Sequence, residues 1–135
     1  MIKLCYKEYP FKISLASCKS FFDATGEDLQ SVLLSYLDIC QSTQGESLIG
    51  RMSEFHKVCK FETASHAIHS LVKAENKNIP LEEIQDAMFR VSWLPSERDD
   101  DLSEPWPLVM VTIANQVNDY FAKNMPVKKK GIEAE

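Results

Sequence analysis

The stretch from Ser14 to Cys40 constrains the fold most, because it holds two amphipathic runs separated by a very short break. Gly26 lies at that break, and glycine readily takes the left-handed conformation that closes a helix. The apolar residues before it recur at helical spacing: Leu15, Cys18, Phe21 and Phe22. We therefore predict a first helix that has Ser14 as its N-cap and ends at Thr25-Gly26.

A second helix is predicted immediately after Gly26. Glu27 and Asp28 place negative charge at its start, where the helix dipole favours it. Its apolar residues recur at i, i+3, i+4, i+7 and i+8: Leu29, Val32, Leu33, Tyr36 and Leu37. Two helices joined by so short a connection must fold back or cross, so we predict that their apolar stripes share one core.

Further amphipathic runs follow the second helix. The apolar stripe of a third helix extends from Leu48 to Cys59, and Thr63 and Ser65 are candidate caps of a fourth. The pattern leaves open whether residues 60–62 bend the chain or continue one helix.

Two more helices are predicted in the C-terminal half. Pro80 opens one of them, since proline has no amide to lose at the first helical position. A polar, acidic loop at residues 96–104 then leads to a last helix that begins near Trp106 and extends to about Met125.

The N-terminal residues alternate between apolar and polar side chains, which predicts a small β-hairpin at about residues 1–13. The turn is predicted at Lys7-Glu8, and Pro10 removes a donor from the second strand. The apolar positions of the two strands are Ile2, Leu4, Tyr6, Tyr9, Phe11 and Ile13.

These patterns together predict a mainly α fold, a compact bundle of five or six helices with a small N-terminal β-hairpin. We expect one domain over residues 1–125 and a flexible C-terminal tail at 126–135. A chain of 135 residues can bury a core without a metal or a disulfide. The cysteines are widely spaced, which favours thiols: Cys5, Cys18, Cys40 and Cys59.

Charge and hydropathy narrow the function classes. The formal charge of −5 argues against a general nucleic-acid binder, because phosphate neutralisation needs a basic face. No apolar run has the length of a membrane span or a signal peptide. We expect a cytoplasmic protein that binds neither nucleic acid nor membrane.

The sequence gives little sign of catalytic chemistry. His66 and His69 share a helix face with Glu62 and form a weak candidate metal corner, but solvated or core-edge histidines are commoner. The acidic run 98–101 is a second candidate for a cation, with a solvated loop as the favoured interpretation. No nucleophile or phosphate-binding motif is present, so we predict a non-enzymatic protein with no cofactor and no metal.

Aromatic and methionine side chains are the candidate binding residues. Tryptophan is enriched at interface hot spots, and adjacent aromatics on one helix cannot both lie on a narrow buried stripe. The predicted partner or self-association residues are Trp93, Trp106, Met110, Tyr120 and Phe121. Core packing is the competing interpretation for both tryptophans and for Met52, Met88 and Met110, which otherwise suit the lining of an apolar groove.

The order of hairpin, helix corner and second helix resembles the tail assembly chaperones of long-tailed bacteriophages and prophages. The positions that carry the resemblance are Phe21 or Phe22, Thr25, Gly26, Asp28 and Leu29, within IKLCYKEYPFKIS, FFDATGEDL and QSVLLSYL. It covers about the first 40 residues, and beyond them only length and helical content agree. The motif defines a helix corner and contains no catalytic group.

The resemblance implies a small cytoplasmic chaperone that keeps the tape measure protein soluble and recruits tail tube subunits. It also implies self-association and a longer frameshifted form, for which an adenine run encoding Lys128 to Lys130 would be a slippery site. A solvated lysine tail is the competing interpretation. The alternative functions are a small helical adaptor or regulator of a prophage or its host, and a metal-dependent enzyme that uses His66 and His69.

Overall fold

The computed structural model describes residues 2–4, 7–91 and 105–123. Six helices and a two-stranded antiparallel hairpin occupy these ranges, so the predicted mainly α fold is confirmed. Within the same ranges, none of the helices combines the length and the apolar character that a membrane crossing requires. The elements are, in chain order, β1 Ile2–Leu4, β2 Lys7–Tyr9, α1 Leu15–Thr25, α2 Leu29–Ser42, α3 Leu48–Val58, α4 Phe61–Lys73, α5 Leu81–Arg90 and α6 Trp106–Lys123.

The N-terminal hairpin is shorter than predicted. Its register pairs Leu4 with Lys7, so β2 begins at the residue where the sequence placed the turn. Because Pro10 cannot donate to a strand ladder, the pairing ends just before it. Phe11 and Ile13 therefore lie outside the hairpin, where they pack, partly buried, against the core.

Glu83 of α5 anchors the hairpin to the helices. Lys7 Nζ donates to Glu83 Oε2 at 2.8 Å, and the Tyr9 hydroxyl donates to the same oxygen at 3.0 Å. The bond from Lys7 and then the bond from Tyr9 hold the pKa of Glu83 below its ordinary value. Since β1 also packs against α6, the hairpin bridges the last two helices.

The corner between α1 and α2 lies where the sequence predicts it. Gly26 has a φ of 76° in the left-handed region, and its amide donates to the Phe22 carbonyl at 2.7 Å. Asp28 is the N-cap of α2, and its Oδ2 accepts from the Ser31 amide at 2.9 Å. One helix therefore closes and the next opens within three residues.

The buried face of α1 differs from the predicted stripe. Leu15 and Phe22 are exposed, whereas Ser17 and Phe21 are buried. Ser17 can occupy the inner position because its hydroxyl donates to the Lys12 carbonyl at 2.6 Å, which satisfies the buried oxygen. The predicted stripe on α1 is therefore wrong at two of its four positions.

A single apolar cluster contains buried residues from all six helices and from the hairpin. Phe21 of α1 and Leu29 of α2 both belong to it, so the first two helices share a core as predicted. Their main packing partners are other helices, however, since α1 lies chiefly against α4 and α2 against α6. The long last helix, α6, thus completes the core to which α1 and α2 contribute.

Helix α4 begins earlier than predicted. Its N-cap is Lys60, which makes no side-chain cap bond, and its first residue is Phe61. The predicted caps Thr63 and Ser65 are therefore wrong, because both lie inside the helix. The chain does bend before the helix, at Cys59 and Lys60.

Some predictions fall outside the described residues. Trp93, the acidic loop at 96–104, the end of the last helix near Met125 and the tail at 126–135 lie there, as do Cys5 and Tyr6. The other three cysteines, Cys18, Cys40 and Cys59, are thiols as predicted.

Candidate partner-binding groove

An apolar groove opens between α3, the C-terminal end of α2 and the N-terminal end of α6. Its volume is about 140 Å³. Most of its wall is hydrocarbon or sulfur, with one guanidinium and one hydroxyl. The groove is lined by Cys40, Thr43, Leu48, Arg51, Met52, Phe55, Pro107, Leu108 and Val111.

Helix α3 supplies one wall of the groove. Its N-cap, Ser47, accepts from the Gly50 amide at 3.1 Å and so fixes the first turn of the helix. Leu48, Met52 and Phe55 follow at i, i+4 and i+7, which places them on one face. Phe55 is buried against the Tyr36 ring at 5.9 Å between centroids, Met52 is half-buried, and Leu48 is 69% exposed. One end of this face of α3 is therefore buried in the core, and the other end is exposed to solvent.

Arg51 joins α3 to the end of α2. Its Nη2 donates to the Cys40 carbonyl at 3.0 Å, and its Nε donates to Thr43 Oγ1 at 3.4 Å. A cation near the last carbonyls of a helix is also favoured by the helix dipole. These bonds tie α3 to the end of α2 beside the groove.

Trp106 lies beneath the α6 side of the groove and not on its surface. It is 5% exposed, and the rings of His56 and Phe61 pack edge-on against it, each at 5.6 Å between centroids. Burial lowers the pKa of His56 below its ordinary value, so the ring is neutral near pH 7. Trp106 is therefore part of the core, which is the interpretation that competes with its predicted role as a partner residue.

The three methionines separate into two environments. Met88 and Met110 are fully buried in the core, whereas Met52 is half-buried and lines the groove. For Met110, predicted as a partner residue, the core interpretation therefore holds. Of the three, only Met52 has the position of a groove lining.

The aromatic pair at the end of α6 lies away from the groove. Tyr120 is exposed and Phe121 is half-buried, and their rings meet nearly at right angles with centroids 5.6 Å apart. Leu108 and Tyr120 are twelve residues apart, which corresponds to roughly 18 Å along the helix axis. The structure thus does not bring the predicted partner residues into one surface, and Trp93 lies outside the described ranges.

One histidine of the candidate metal corner, His69, has a structural role. His69 Nε2 lies 2.9 Å from the Ile79 carbonyl, which ties α4 to the start of α5. His66 Nε2 lies 3.9 Å from Glu62 Oε1 on the same helix. Across residues 2–4, 7–91 and 105–123, no group of three or more His, Cys, Asp or Glu side chains is arranged to hold a metal ion.

The buried thiol of Cys59 is poorly suited to nucleophilic chemistry. Burial raises its pKa to about 12, against the opposing effect of the nearby Tyr36 hydroxyl. A thiol with such a pKa stays protonated at neutral pH, and the thiolate is the reactive form.

Sequence reasoning missed the groove, although it identified the residues on α3. Leu48 and Ile49 both fall within the apolar stripe predicted for the third helix, yet both are exposed. The available signal was the excess of apolar residues on α3, since one buried face of a short helix cannot hold all of them. Leu108 and Arg51 line the groove because of how the helices pack against one another. A local sequence pattern does not encode that packing.

Comparison of the chain with protein-family models, with curated proteins and with solved structures finds no match.

Proposed function

We propose that this protein is a non-catalytic tail assembly chaperone of a long-tailed bacteriophage or prophage, acting in the host cytoplasm. In this proposal it binds amphipathic helical segments of the tape measure protein in the apolar groove between α2, α3 and α6. The sequence resemblance across the hairpin and the corner at Gly26 supports the family. The groove supports the binding role.

The observation that carries the proposal is the exposed apolar wall of α3. Leu48 extends into solvent beside the concave surface that Met52 and Leu108 help to line. An amphipathic helix presents apolar side chains at i, i+3, i+4 and i+7, and such a row fits a groove of this kind. Burial of each leucine-sized side chain is worth on the order of 1.5–3 kcal/mol. The flexible thioether of Met52 also suits a chaperone that accepts varied sequences.

Self-association and recruitment of tail tube subunits need a second surface, for which the end of α6 is the candidate. Tyr120 there is exposed, and its ring packs edge-on against Phe121. Because this pair lies far from the groove along α6, a protomer can hold a tape measure segment and another subunit at once. A longer frameshifted form would extend the chain beyond this same end.

Co-expression with the tape measure protein tests the proposed function. We expect the tape measure protein to stay soluble with the wild-type protein and to precipitate with the Leu48→Asp variant, whose carboxylate would be desolvated in the groove. Ile49→Asp is the matched control, because Ile49 is 78% exposed in the same helical turn and does not line the groove. Equal loss of solubility with both variants, or none with either, would count against the groove.

A small helical adaptor of a prophage or its host would use the same groove for a different helix. The position of the gene separates the two functions. A tail assembly chaperone gene should lie between the genes for the tail tube and tape measure proteins. A gene next to unrelated regulators, with no effect of the protein on tape measure solubility, would favour the adaptor.

A further inference from the structure

A second concave surface lies between the start of α1 and the end of α4. It is an open cavity of about 490 Å³. Three lysines line it, Lys12 before α1, Lys73 in the last turn of α4 and Lys77 just beyond, and no carboxylate is among its lining residues. This concentration of positive charge contrasts with the net charge of −5 of the whole chain.

The lysines of this basic cavity are not engaged by neighbouring acids. The ion pairs of the described ranges join other lysines, Lys7 and Lys57, to their carboxylates, and none involves Lys12, Lys73 or Lys77. Lys12, Lys73 and Lys77 are exposed, and three positive charges on one concave surface without counter-charges favour an anion there. The positive charge of the residues that line the cavity is therefore suited to a bound anion.

Ser70 gives an independent indication of a ligand. Its side chain is on the buried side of α4, is 3% exposed, and lines the cavity. Its hydroxyl makes no hydrogen bond within residues 2–4, 7–91 and 105–123, and its oxygen is not one of the fully buried unpaired atoms of these ranges, so it is in contact with solvent. A hydroxyl that lines the cavity and reaches its solvent can donate to an acceptor placed there.

The remaining wall fits the same ligand chemistry. Ser14 and Ser20 of the α1 side add hydroxyls to the lining. The N-terminal end of α1 and the C-terminal end of α4 meet at this cavity, so their dipoles oppose each other and the lysines supply the net field. A phosphate group, with several acceptor oxygens and up to two negative charges, matches this set of donors.

We propose that the basic cavity between α1 and α4 binds a small phosphate-bearing molecule through Lys12, Lys73, Lys77 and the Ser70 hydroxyl. The volume exceeds that needed for inorganic phosphate alone and accommodates an organic phosphate. This site uses different elements from the apolar groove, so it goes beyond the proposed chaperone function and does not depend on it.

Isothermal titration calorimetry on the full-length protein tests the proposal, with pyrophosphate and ADP as probes and vesicles of phosphatidylcholine with phosphatidylglycerol as a separate arm. We expect one saturable site whose affinity falls roughly tenfold or more in Lys73→Gln, since charge-assisted hydrogen bonds are the strong ones. Lys19→Gln, on the exposed side of α1 and outside the cavity lining, makes the same change in net charge and should leave binding unchanged. Binding to vesicles with the same dependence on Lys73 would assign the phosphate to a lipid headgroup.

Ser70→Ala distinguishes a built site from a diffuse basic surface. The substitution preserves the helix and the charge, and circular dichroism verifies the fold. We expect it to weaken binding by a few-fold, because it removes one neutral donor and leaves the three lysines in place. The absence of saturable binding in every arm, or equal weakening by Lys19→Gln, would overturn the site. Neither result would alter the solubility of the tape measure protein in co-expression, so the two proposals fail separately.

Discussion

Replacement of Trp106 by alanine should test whether this residue is part of the core or part of a binding surface. The side chain is 5% exposed and lies between the rings of His56 and Phe61. A buried tryptophan removes about 150–250 Å² from water, worth about 4–6 kcal/mol at 25 cal/mol per Å². Measured losses for Trp→Ala in cores are about 3–5 kcal/mol, and we expect Trp106→Ala to fall in that range.

Urea unfolding followed by circular dichroism measures this loss directly. With a slope of about 2 kcal/mol per molar urea, a loss of 4 kcal/mol lowers the midpoint by about 2 M. Phe89→Ala is the control, because Phe89 is 76% exposed and its removal should change the free energy of unfolding by less than about 0.5 kcal/mol. A Trp106→Ala variant within about 1 kcal/mol of the wild type, but impaired in self-association, would refute the core assignment.

Two further predictions concern the helix corner and the hairpin anchor. Gly26→Ala should lower the free energy of unfolding by about 1–2 kcal/mol in a urea titration, because alanine is strained at a φ of 76° although its Cβ would meet no atom within 4 Å. Gly26→Asn should cost less, since asparagine tolerates this region, and a larger loss for asparagine than for alanine would contradict the account. The pKa of Glu83 is lowered in the folded state, so its contribution to stability is present above the ordinary value of 4.5 and is lost as the pH falls through the lower folded-state pKa. Glu83→Gln should therefore be less stable than the wild type at pH 7, by less than about 1 kcal/mol for so exposed an ion pair. At pH 2 to 3 the two proteins should be equally stable in thermal unfolding. A stability difference that widened toward low pH would contradict the assigned sign.

Local signals in the sequence were sufficient for the helix corner. Gly26 with its left-handed φ, and Asp28 as an N-cap, act through bonds to residues three or four positions away. Such interactions are encoded within one short segment, so the sequence alone predicts them. The start of α4 was harder to predict from the sequence. Lys60 provides no side-chain cap there, and the first residue, Phe61, packs against the distant Trp106.

The distinction between core and surface required the tertiary structure. Met52 and Met110 have equivalent places on apolar stripes, yet one lines the groove and the other is fully buried. The difference arises because α6 packs against both α2 and β1, whereas α3 packs chiefly against α2 alone. Likewise Ser17 is buried in place of Leu15, since a hydrogen bond to the Lys12 carbonyl satisfies it.

The most direct test of the central claim uses protein labelled with ¹³C in the methionine methyl groups. Methyl NMR spectra are recorded as an amphipathic segment of the tape measure protein is added. The account predicts that the Met52 signal shifts with saturation, while the signals of the buried Met88 and Met110 remain essentially unchanged. An unchanged Met52 signal at saturating segment, or equal shifts of all three, would contradict binding in the groove between α2, α3 and α6.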